Sequence, residues 1–344
     1  MAISSSQFMH LPEIKRIAVI RRNGFGDLLC TTPLLQLLKE KFPLSSLTLL
    51  VNQSNASILP YMNFHEERII FPKGNKYFSI LGTAYRLRSK KFDLAISAKT
   101  SPMKLMNFFL FALKAKQTVA FIDASWHSSL VSKGIPYNEK EKRLKHQALK
   151  SLNLLDPSFK EVPEKFYPKI KIPLKEHESY KKQMQDKIYP LHGKGPLIFI
   201  SASYNRLSSN PGEDGYCNIL NRLYKTHSFQ TLISSMSKNR EEAEKISKKL
   251  LCPSIVIEND DFSSFVNLLQ ISDIVFTGDG GAMHIAASLG KAQVALFGET
   301  SLKEWRPLNS RAICLHDPVH VNNINKEHIM RALIQLINMT KYYE

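Results

Sequence analysis

The chain has 344 residues, of which 43% are hydrophobic and 22% are charged, and its formal net charge is +17. This length predicts two domains of ordinary size, and no apolar run approaches the roughly 18 residues that a membrane-spanning helix needs. The four cysteines lie far apart and form no pair with metal-ligand spacing, so we expect reduced thiols in a cytoplasmic protein without a secretory signal peptide.

The positive charge is concentrated in the first half of the chain. Residues 1–170 contain 26 Lys and Arg against 12 Asp and Glu, whereas residues 171–344 contain 21 against 18. A basic half predicts an anionic partner for that half, and nucleic acid, an anionic membrane surface and a phosphorylated substrate all fit. The sequence has no recognised nucleic-acid-binding motif, so we expect no nucleic-acid partner; salt-sensitive DNA or RNA binding would favour that alternative.

The first predicted element is a strand that leads through a glycine turn into a helix. Residues 17–20 form a short apolar run typical of a strand covered on both faces, Gly24 and Gly26 follow, and leucines recur at helical spacing over residues 28–38. Asp27 therefore lies at a helix start. Two interpretations are open: Asp27 caps the helix, or it is a catalytic base at the sheet edge where ligands bind in parallel α/β folds.

Strands and helices alternate through the rest of the chain. The first half has predicted strands at residues 47–51, 68–71, 92–96 and 119–122, and predicted helices at residues 77–88, 103–116 and 143–155. A proline-rich and lysine-rich stretch over residues 157–196 predicts the connection between domains. The second half has predicted strands at residues 197–201, 229–234, 254–257, 273–277 and 293–297, and predicted helices at residues 215–225, 240–251, 262–270, 282–289 and 326–342. The alternation predicts two doubly wound α/β domains.

A second strand, glycine turn and helix start lie near residue 280. Asp279 stands among the glycines of this turn, and His284 follows in the predicted helix. A helix N-terminus offers free N–H groups and a partial positive charge, which suits a phosphate. A carboxylate repels a phosphate, so we expect Asp279 to bind a sugar hydroxyl or the backbone of the turn. A capped helix start and a hydrogen-bonded histidine remain the alternative for these two residues.

The chain carries three motifs, one near its start and two near its end. The first is Gly26-Asp27 followed by Pro33, the second is the Gly-Asp-Gly-Gly-Ala-Met-His-Ile-Ala-Ala run over residues 278–287, and the third is Leu-Phe-Gly-Glu-Thr over residues 296–300. Together they resemble the glycosyltransferase family that contains the ADP-heptose:lipopolysaccharide heptosyltransferases. The resemblance spans nearly the whole chain and is weakest in its middle.

The resemblance implies the GT-B architecture, in which two Rossmann-like domains face a central cleft. On this basis we expect an acceptor-binding domain over residues 1–165, a linker over residues 166–195 and a nucleotide-sugar-binding domain over residues 196–322. A C-terminal helix over residues 323–344 is expected to pack back towards the first domain. The implied reaction transfers a heptose, or a related sugar, from an ADP-sugar to an anionic lipopolysaccharide inner-core acceptor, with inversion and without a metal or cofactor.

The resemblance also implies roles for individual residues. Asp27 is the expected catalytic base, and Arg21, Arg22 and Lys99 are expected to contact the acceptor. The expected contacts of the donor are Gly26, Ser203, Tyr204, Arg206, Ser208, Asn239, Asp260, Phe262, Asp279, Gly280, Gly281 and His284. No metal site is expected, although Asp260 and Asp261 resemble the paired carboxylates of metal-dependent transferases.

The sequence departs from the family pattern in its middle motif. Ser208 replaces the lysine that neutralises the leaving diphosphate, and Asn210 replaces a tryptophan. Arg206 is the expected substitute cation, and Asn239 stands at the place of a ribose-binding glutamate. Because of these departures, two alternatives remain open. The chain is a family member that uses another nucleotide sugar, or it is a protein that binds a sugar or nucleotide with weak catalysis.

The expected partners follow from the implied reaction. They are ADP-heptose or a similar nucleotide sugar and a phosphorylated lipid A-core glycan, in the cytoplasm and at the inner face of the inner membrane. Peripheral contact with that membrane is expected, and for the helix over residues 103–116 it is the alternative to packing under the sheet. A nicotinamide-dependent oxidoreductase is disfavoured, because the first glycine turn lacks the third small residue of the dinucleotide fingerprint.

Overall fold

The computed structural model describes residues 14–141, 143–188, 195–204 and 206–340. It divides into two compact units, Met1–Pro168 and Lys169–Glu344. The first residues of the predicted first domain, the end of the predicted linker (residues 189–194) and the end of the predicted C-terminal helix (residues 341–344) lie outside the described residues. Within the described residues, no helix is both long enough and apolar enough to cross a membrane.

The first unit is built on a six-stranded parallel sheet with the strand order β3-β2-β1-β4-β5-β6. Its strands are β1 (Arg16–Arg21), β2 (Ser46–Val51), β3 (Glu67–Ile70), β4 (Leu94–Ser97), β5 (Gln117–Ile122) and β6 (Lys133–Pro136). Its helices are α1 (Phe25–Leu29), α2 (Thr32–Lys41), α3 (Lys76–Leu87), α4 (Lys104–Leu113) and α5 (Gln147–Asn153). Helices α3 and α4 pack against each other and share one apolar core with the sheet.

Strand β1 lies at the centre of this sheet because its side chains are apolar on both faces. Ile17, Ala18 and Val19 are fully buried, and Val19 pairs with Leu49 of β2 on one side and with Ile96 of β4 on the other. Strands covered on both faces are typically continuous apolar runs rather than alternating ones. The prediction of a buried first strand is confirmed.

The helix predicted after the first glycine turn is divided in two. Helix α1 ends at Leu29 and α2 begins at Thr32, with Pro33 as its second residue. Proline has no N–H to donate to the carbonyl oxygen four residues earlier, which here belongs to Leu29. The Thr32 hydroxyl donates to that oxygen instead, at 2.7 Å. The missing donor at Pro33 therefore accounts for the break that leucine spacing did not predict.

The second unit has a six-stranded parallel sheet with the order β12-β11-β10-β7-β8-β9. Its strands are β7 (Leu197–Ser201), β8 (Gln230–Ser235), β9 (Ser254–Glu258), β10 (Ile274–Gly278), β11 (Ala292–Phe297) and β12 (Ala312–His316). Its helices are α6 (Leu174–Ile188), α7 (Gly212–Tyr224), α8 (Arg240–Lys249), α9 (Phe262–Ile271), α10 (Gly281–Ser288), α11 (Leu302–Trp305) and α12 (Lys326–Thr340). The prediction of two doubly wound α/β domains is confirmed.

Two helices of the second unit lie outside the predicted nucleotide-sugar-binding domain, residues 196–322. Helix α6 occupies part of the predicted linker and packs on α9. The buried side chains of α12, among them Leu333 and Ile337, pack in the apolar core of the second unit. The contact of this helix with the first domain stays a prediction.

The sequence missed the edge strands β6 and β12. Strand β6 has the sequence Lys-Gly-Ile-Pro, which is poor in β-formers, and all four of its residues remain partly exposed. No residue of β12 is fully buried, and the strand lies in a stretch that the sequence indicated to be irregular. Edge strands bury little apolar surface, so their sequences carry a weaker apolar signal than central ones.

Candidate active site

Both sheets place polar residues at their topological switch points. In the first unit the chain runs from β1 outwards to β3 and then returns to β4, which pairs with the other side of β1; β7 and β10 have the same relation in the second unit. The carboxyl ends of such strand pairs form the ligand-binding crevice of doubly wound folds. Asp27 and Lys99 follow β1 and β4, and Arg206 and Asp279 follow β7 and β10. Each unit therefore has a candidate site of its own.

The Asp27 carboxylate is held by a buried arginine at the end of β1. Arg21 is 1% exposed, and its guanidinium donates to Asp27 and to the carbonyl oxygen of Ala98. Burial lowers the pKa of Arg21, and the neighbouring Asp27 opposes that shift. The Asp27 side chain remains 23% exposed, so one side of the carboxylate faces solvent. Arg21 is built into the unit as the partner of Asp27, and its predicted contact with the acceptor stays a prediction.

Asp27 is not the cap of its helix. The N-cap residue of α1 is Gly24, whose extended backbone leads into the first turn, and Asp27 is the third residue of the helix. The Asp27 carboxylate pairs with Arg21 rather than with the N–H groups of the helix start. The capping interpretation of Asp27 is therefore wrong. Gly26, the second residue of α1, accepts a hydrogen bond from the Cys30 N–H at 2.9 Å through its carbonyl oxygen.

A basic cavity of about 150 Å³ lies beside Asp27 in the first unit. Arg21, Arg22, Lys99, Asn23 and Asn52 line it. The Arg22 Nε donates to Asn52 Oδ1 at 3.1 Å, and the Asn52 amide donates back to the Arg22 carbonyl oxygen. Burial and the Arg21 guanidinium lower the pKa of Lys99, while Asp27 raises it. Arg22 and Lys99, the two cations of the cavity that are not paired with Asp27, favour an anionic group there.

In the second unit, two glycines let a loop approach the ends of neighbouring strands. A Cβ on Gly278 would lie 1.8 Å from the Ser209 carbonyl oxygen, and one on Gly298 would lie 2.3 Å from the Ser208 carbonyl oxygen. The loop over residues 207–209 therefore packs directly on the ends of β10 and β11. Ser208 is 9% exposed as a result, which leaves little of its hydroxyl accessible to a donor.

Tyr204 links the β7 loop to the second glycine turn. Its hydroxyl accepts a hydrogen bond from the Gly278 N–H at 3.1 Å and lies 3.1 Å from Thr277 Oγ1. It also contacts the Tyr216 hydroxyl of α7. Burial raises the pKa of Tyr204, so the hydroxyl keeps its proton at neutral pH. The phenol fixes the backbone at the end of β10, directly before Asp279.

Arg206 and Asp279 form an ion pair at the switch point of the second sheet. The Arg206 Nη1 donates to Asp279 Oδ2 at 3.1 Å and to Thr300 Oγ1 at 2.7 Å. The Asp279 side chain is 5% exposed, whereas the Arg206 side chain is 59% exposed. The guanidinium therefore presents donors to solvent above the glycine turn.

A hydrogen-bond chain joins the loops that follow β7, β8 and β9. The Ser203 hydroxyl donates to Asn239 Oδ1 at 3.1 Å and accepts from the Met236 N–H at 3.0 Å. Asp260 accepts from the backbone N–H and the hydroxyl of Ser237, and these hydrogen bonds lower the pKa of Asp260. The structure thus brings Ser203, Asn239 and Asp260 to one edge of the sheet.

The remaining predicted residues lie at two helix starts. Gly280 is the N-cap of α10 and Gly281 its first residue, while His284 is 8% exposed and its ring lies 5.9 Å from that of Trp305. Phe262 begins α9 and is half-buried.

The acidic pair at residues 260 and 261 takes part in local hydrogen bonds. Asp261 is the N-cap of α9 and accepts from the Ser264 N–H at 2.8 Å. Across the described ranges, no three His, Cys, Asp or Glu side chains come close enough together to hold a metal ion. Both carboxylates accept hydrogen bonds from backbone N–H groups of the second unit.

Comparison with known proteins decides the family. The model of glycosyltransferase family 9 (heptosyltransferase) matches residues 81–333. The chain belongs to glycosyltransferase family 9. This family 9 chain is therefore an enzyme of the glycosyltransferase class, as the motifs predicted.

Solved structures share the fold of this family 9 chain at low sequence identity. A family 9 glycosyltransferase from Veillonella parvula is 18% identical with a TM-score of 0.80, covering 95% of this chain and 99% of that one. The ADP-heptose lps heptosyltransferase II of E. coli is 15% identical with a TM-score of 0.76, covering 95% and 99%. The E. coli heptosyltransferase WaaC with ADP is 11% identical with a TM-score of 0.68, covering 93% and 99%. No curated protein sequence matches the chain.

The sequence analysis did not single out Asn52, and it named Thr300 only as the end of the third motif, without a role. Asn52 directly follows β2 and binds Arg22, and Thr300 follows β11 and binds Arg206. Both stand at the carboxyl end of a strand next to a switch-point strand. That position was the available signal, because polar residues directly after neighbouring parallel strands share one sheet edge.

Proposed function

We propose that this family 9 enzyme transfers a heptose, or a related sugar, from an ADP-sugar to an anionic lipopolysaccharide inner-core acceptor in the cytoplasm. The observation that carries the proposal is the Asp27 carboxylate, partly exposed near a basic cavity and held by Arg21. Asp27 acts as the general base, and the reaction inverts the anomeric centre without a metal ion or cofactor. The solved relatives named for ADP-heptose support this choice of donor.

In the proposed reaction, the acceptor hydroxyl oxygen attacks the anomeric carbon of the donor. The bond between that carbon and the diphosphate oxygen breaks, and ADP leaves with the electron pair. The proton of the attacking hydroxyl passes to Asp27. Attack and departure on opposite faces invert the configuration. A positioned base contributes about 10²- to 10⁴-fold, because the hydroxyl becomes acidic only as the new bond forms.

The leaving diphosphate needs positive charge and hydrogen-bond donors. Arg206 is an exposed cation at the glycine turn, and it already donates to Asp279 and Thr300. The backbone N–H groups of Gly280 and Gly281 at the start of α10 and the Ser203 hydroxyl are the further donors in this proposal. Arg206 is paired with Asp279 in this structure. When the nucleotide sugar binds, we expect the guanidinium to contact its sugar and diphosphate while it keeps its contact with that carboxylate.

The acceptor is proposed to place an anionic group in the cavity beside Asp27. Arg22 and Lys99 are the cations available there, since Arg21 is occupied by Asp27 and Ala98. A phosphorylated inner-core glycan carries such groups close to its free hydroxyls. We therefore assign Arg22 and Lys99 to acceptor binding and Arg21 to the positioning of Asp27.

The test is the Asp27→Asn variant, assayed with ADP-heptose and a truncated lipopolysaccharide acceptor in the presence of EDTA. We expect a kcat lower by about 10²- to 10⁴-fold with the affinity for ADP unchanged, because the nucleotide is assigned to the second unit. The Asp156→Asn variant, at an aspartate of the first unit that pairs with Lys41, is the matched control and is expected to keep its activity.

Four results would contradict parts of the proposal. Transfer by Asp27→Asn at the wild-type rate would refute the base assignment. Activity that EDTA abolishes and Mg²⁺ or Mn²⁺ restores would refute the metal-independent reaction. Calorimetric binding of UDP in preference to ADP would refute the donor class, and nucleotide binding without turnover on any core acceptor would indicate a binding protein.

A further inference from the structure

The outer surface of helices α3 and α4 exposes large apolar side chains. Six of them define what we call the aromatic face: Tyr77, Phe78, Leu81, Tyr85, Phe111 and Trp126. Single exposed apolar residues are common in proteins, but a contiguous group indicates an interaction surface. The candidate active site does not use any of these residues.

Four members of the aromatic face form a stripe along α3. Positions 77, 78, 81 and 85 fall on one side of an α-helix, and Ile80, Ala84 and Leu87 occupy the other side, in the core of the first unit. Phe78 is 82% exposed and Tyr85 is 67% exposed. One side of α3 therefore packs in the core, and the apolar stripe at positions 77, 78, 81 and 85 remains outside it.

The aromatic face continues from α3 onto α4. The Arg88 guanidinium lies 4.8 Å from the centroid of the Tyr85 ring, and its Nε donates to the Ala112 carbonyl oxygen at 2.6 Å, next to Phe111. Trp126 is 66% exposed and packs edge-on against Phe108 of α4 at 5.7 Å. The Lys104 Nζ lies 5.9 Å from the Trp126 ring. Aromatic rings and long cations thus alternate across two adjacent helices.

The charge of this segment is strongly positive. Residues 72–122 contain ten Lys and Arg and a single acidic residue, Asp93. Asp93 is mostly buried, pairs with Lys116 and accepts from the backbone of Lys15 and Arg16. The cations include Lys73 and Arg86, which are exposed at the two ends of the α3 stripe. Asp123, three residues before Trp126, is exposed, so the surround of the aromatic face is predominantly basic and is complementary to an anionic surface.

We propose that the aromatic face docks the enzyme on an anionic phospholipid membrane surface. Aromatic side chains enter the boundary between headgroups and acyl chains, and the surrounding Lys and Arg bind the anionic headgroups. A protein partner would also cover apolar side chains, but a predominantly basic surround matches a uniformly anionic surface better than the mixed charges of most protein interfaces. The inference needs no assumption about the donor sugar or the acceptor hydroxyl.

The test is co-sedimentation of the full chain with two kinds of vesicle. One contains phosphatidylethanolamine and phosphatidylglycerol, and the other contains phosphatidylcholine alone. We expect binding to the anionic vesicles, weakened by salt, and little binding to the neutral ones. The Phe78→Ser, Tyr85→Ser double variant is expected to bind at least about tenfold more weakly, since it removes two apolar anchors. The Lys73→Gln, Arg86→Gln variant is expected to lose about fivefold for each cation.

Matched controls separate docking from folding and from catalysis. Leu251 and Val319 are as exposed as the aromatic face but lie in the second unit, so the Leu251→Ser, Val319→Ser variant should bind vesicles like the wild type. Transfer to a detergent-dispersed acceptor should be unchanged in the Phe78→Ser, Tyr85→Ser variant. Failure of docking and failure of the proposed reaction are therefore distinguishable.

Tryptophan fluorescence gives a second readout. The chain has two tryptophans, and the ring of Trp305 lies against His284 in the second unit. We expect emission to shift to shorter wavelength on anionic vesicles and the shift to disappear in Trp126→Phe. Absence of vesicle binding by the wild type would overturn the proposal and leave a protein partner as the occupant. Equal vesicle binding by the double variant and the wild type would overturn it as well.

Discussion

Arg206 supplies positive charge to the leaving diphosphate in the proposed reaction. The family motif places a lysine two residues later, but Ser208 stands there and the close approach of Gly298 keeps it nearly buried. The Arg206 guanidinium instead reaches across to Asp279 and Thr300, at the carboxyl ends of β10 and β11. A planar guanidinium can hold a carboxylate and a phosphate oxygen together, which a lysine ammonium does less well.

At the residue scale, we expect Arg206→Ala to lower kcat by about 10²- to 10³-fold, because it removes a cation from the leaving group. Arg206→Lys should recover part of that loss, since it restores charge without the second donor arm. The measurement is steady-state transfer with ADP-heptose. Arg222→Ala, at an exposed arginine that pairs with Glu327 in the same unit, is the control. Arg206→Ala with the kinetics of that control would refute the role of Arg206.

At the scale of elements, the ends of β10 and β11 are shaped by contacts between backbones. The loop over residues 207–209 lies so close to Gly278 and Gly298 that no side chain fits between them. Tyr204 adds a hydrogen bond to the Gly278 N–H on the same turn. The position of Asp279 is thus set by two neighbouring loops rather than by its own helix start.

A pair of glycine variants tests this close packing. Gly278→Ala places a Cβ 1.8 Å from the Ser209 carbonyl oxygen, whereas a Cβ on Gly280 meets nothing within 4 Å and that residue has an extended backbone. We expect Gly278→Ala to reduce the free energy of unfolding by about 1–3 kcal/mol or more, and Gly280→Ala to change it by about 0.5 kcal/mol or less. Urea denaturation measures both, and equal stabilities would contradict the packing argument.

At the scale of the whole molecule, the chain is two units with one topology and different charge. Each unit has a six-stranded parallel sheet with the same strand order about its switch point and its own apolar core. Residues 1–168 contain 25 Lys and Arg against 12 Asp and Glu, whereas residues 169–344 contain 22 against 18. The basic unit also carries Asp27 and the aromatic face, so the proposed acceptor and the proposed membrane surface both meet this unit.

The two units are expected to fold when produced separately as residues 1–168 and 169–344. Each buries its own central strands, and compact units of this size support independent cores. Far-UV circular dichroism and a single cooperative unfolding transition for each fragment are the measurements. Residues 1–168 should elute from a cation exchanger at higher salt than residues 169–344. A fragment without a cooperative transition would contradict independent folding.

The sequence predicted the central strands and the two glycine turns because these signals are local. The apolar run of β1 and the Gly-Asp step at Asp27 are readable without knowledge of the fold. The helix break before Pro33 was missed because it depends on which carbonyl loses its donor. The edge strands β6 and β12 were missed because a strand with one neighbour buries little.

By itself, the sequence determined the α/β class, the division into two domains, the family motifs and the excess of positive charge in the first half. Only the tertiary structure decided that Asp27 pairs with Arg21, that Ser208 is buried while Arg206 reaches Asp279, and that the apolar residues of α3 and α4 lie on an outer surface. The reason is that periodicity and turn residues act within a few positions of the chain. Contacts between loops of neighbouring strands exist only once the sheet has brought their carboxyl ends to one edge.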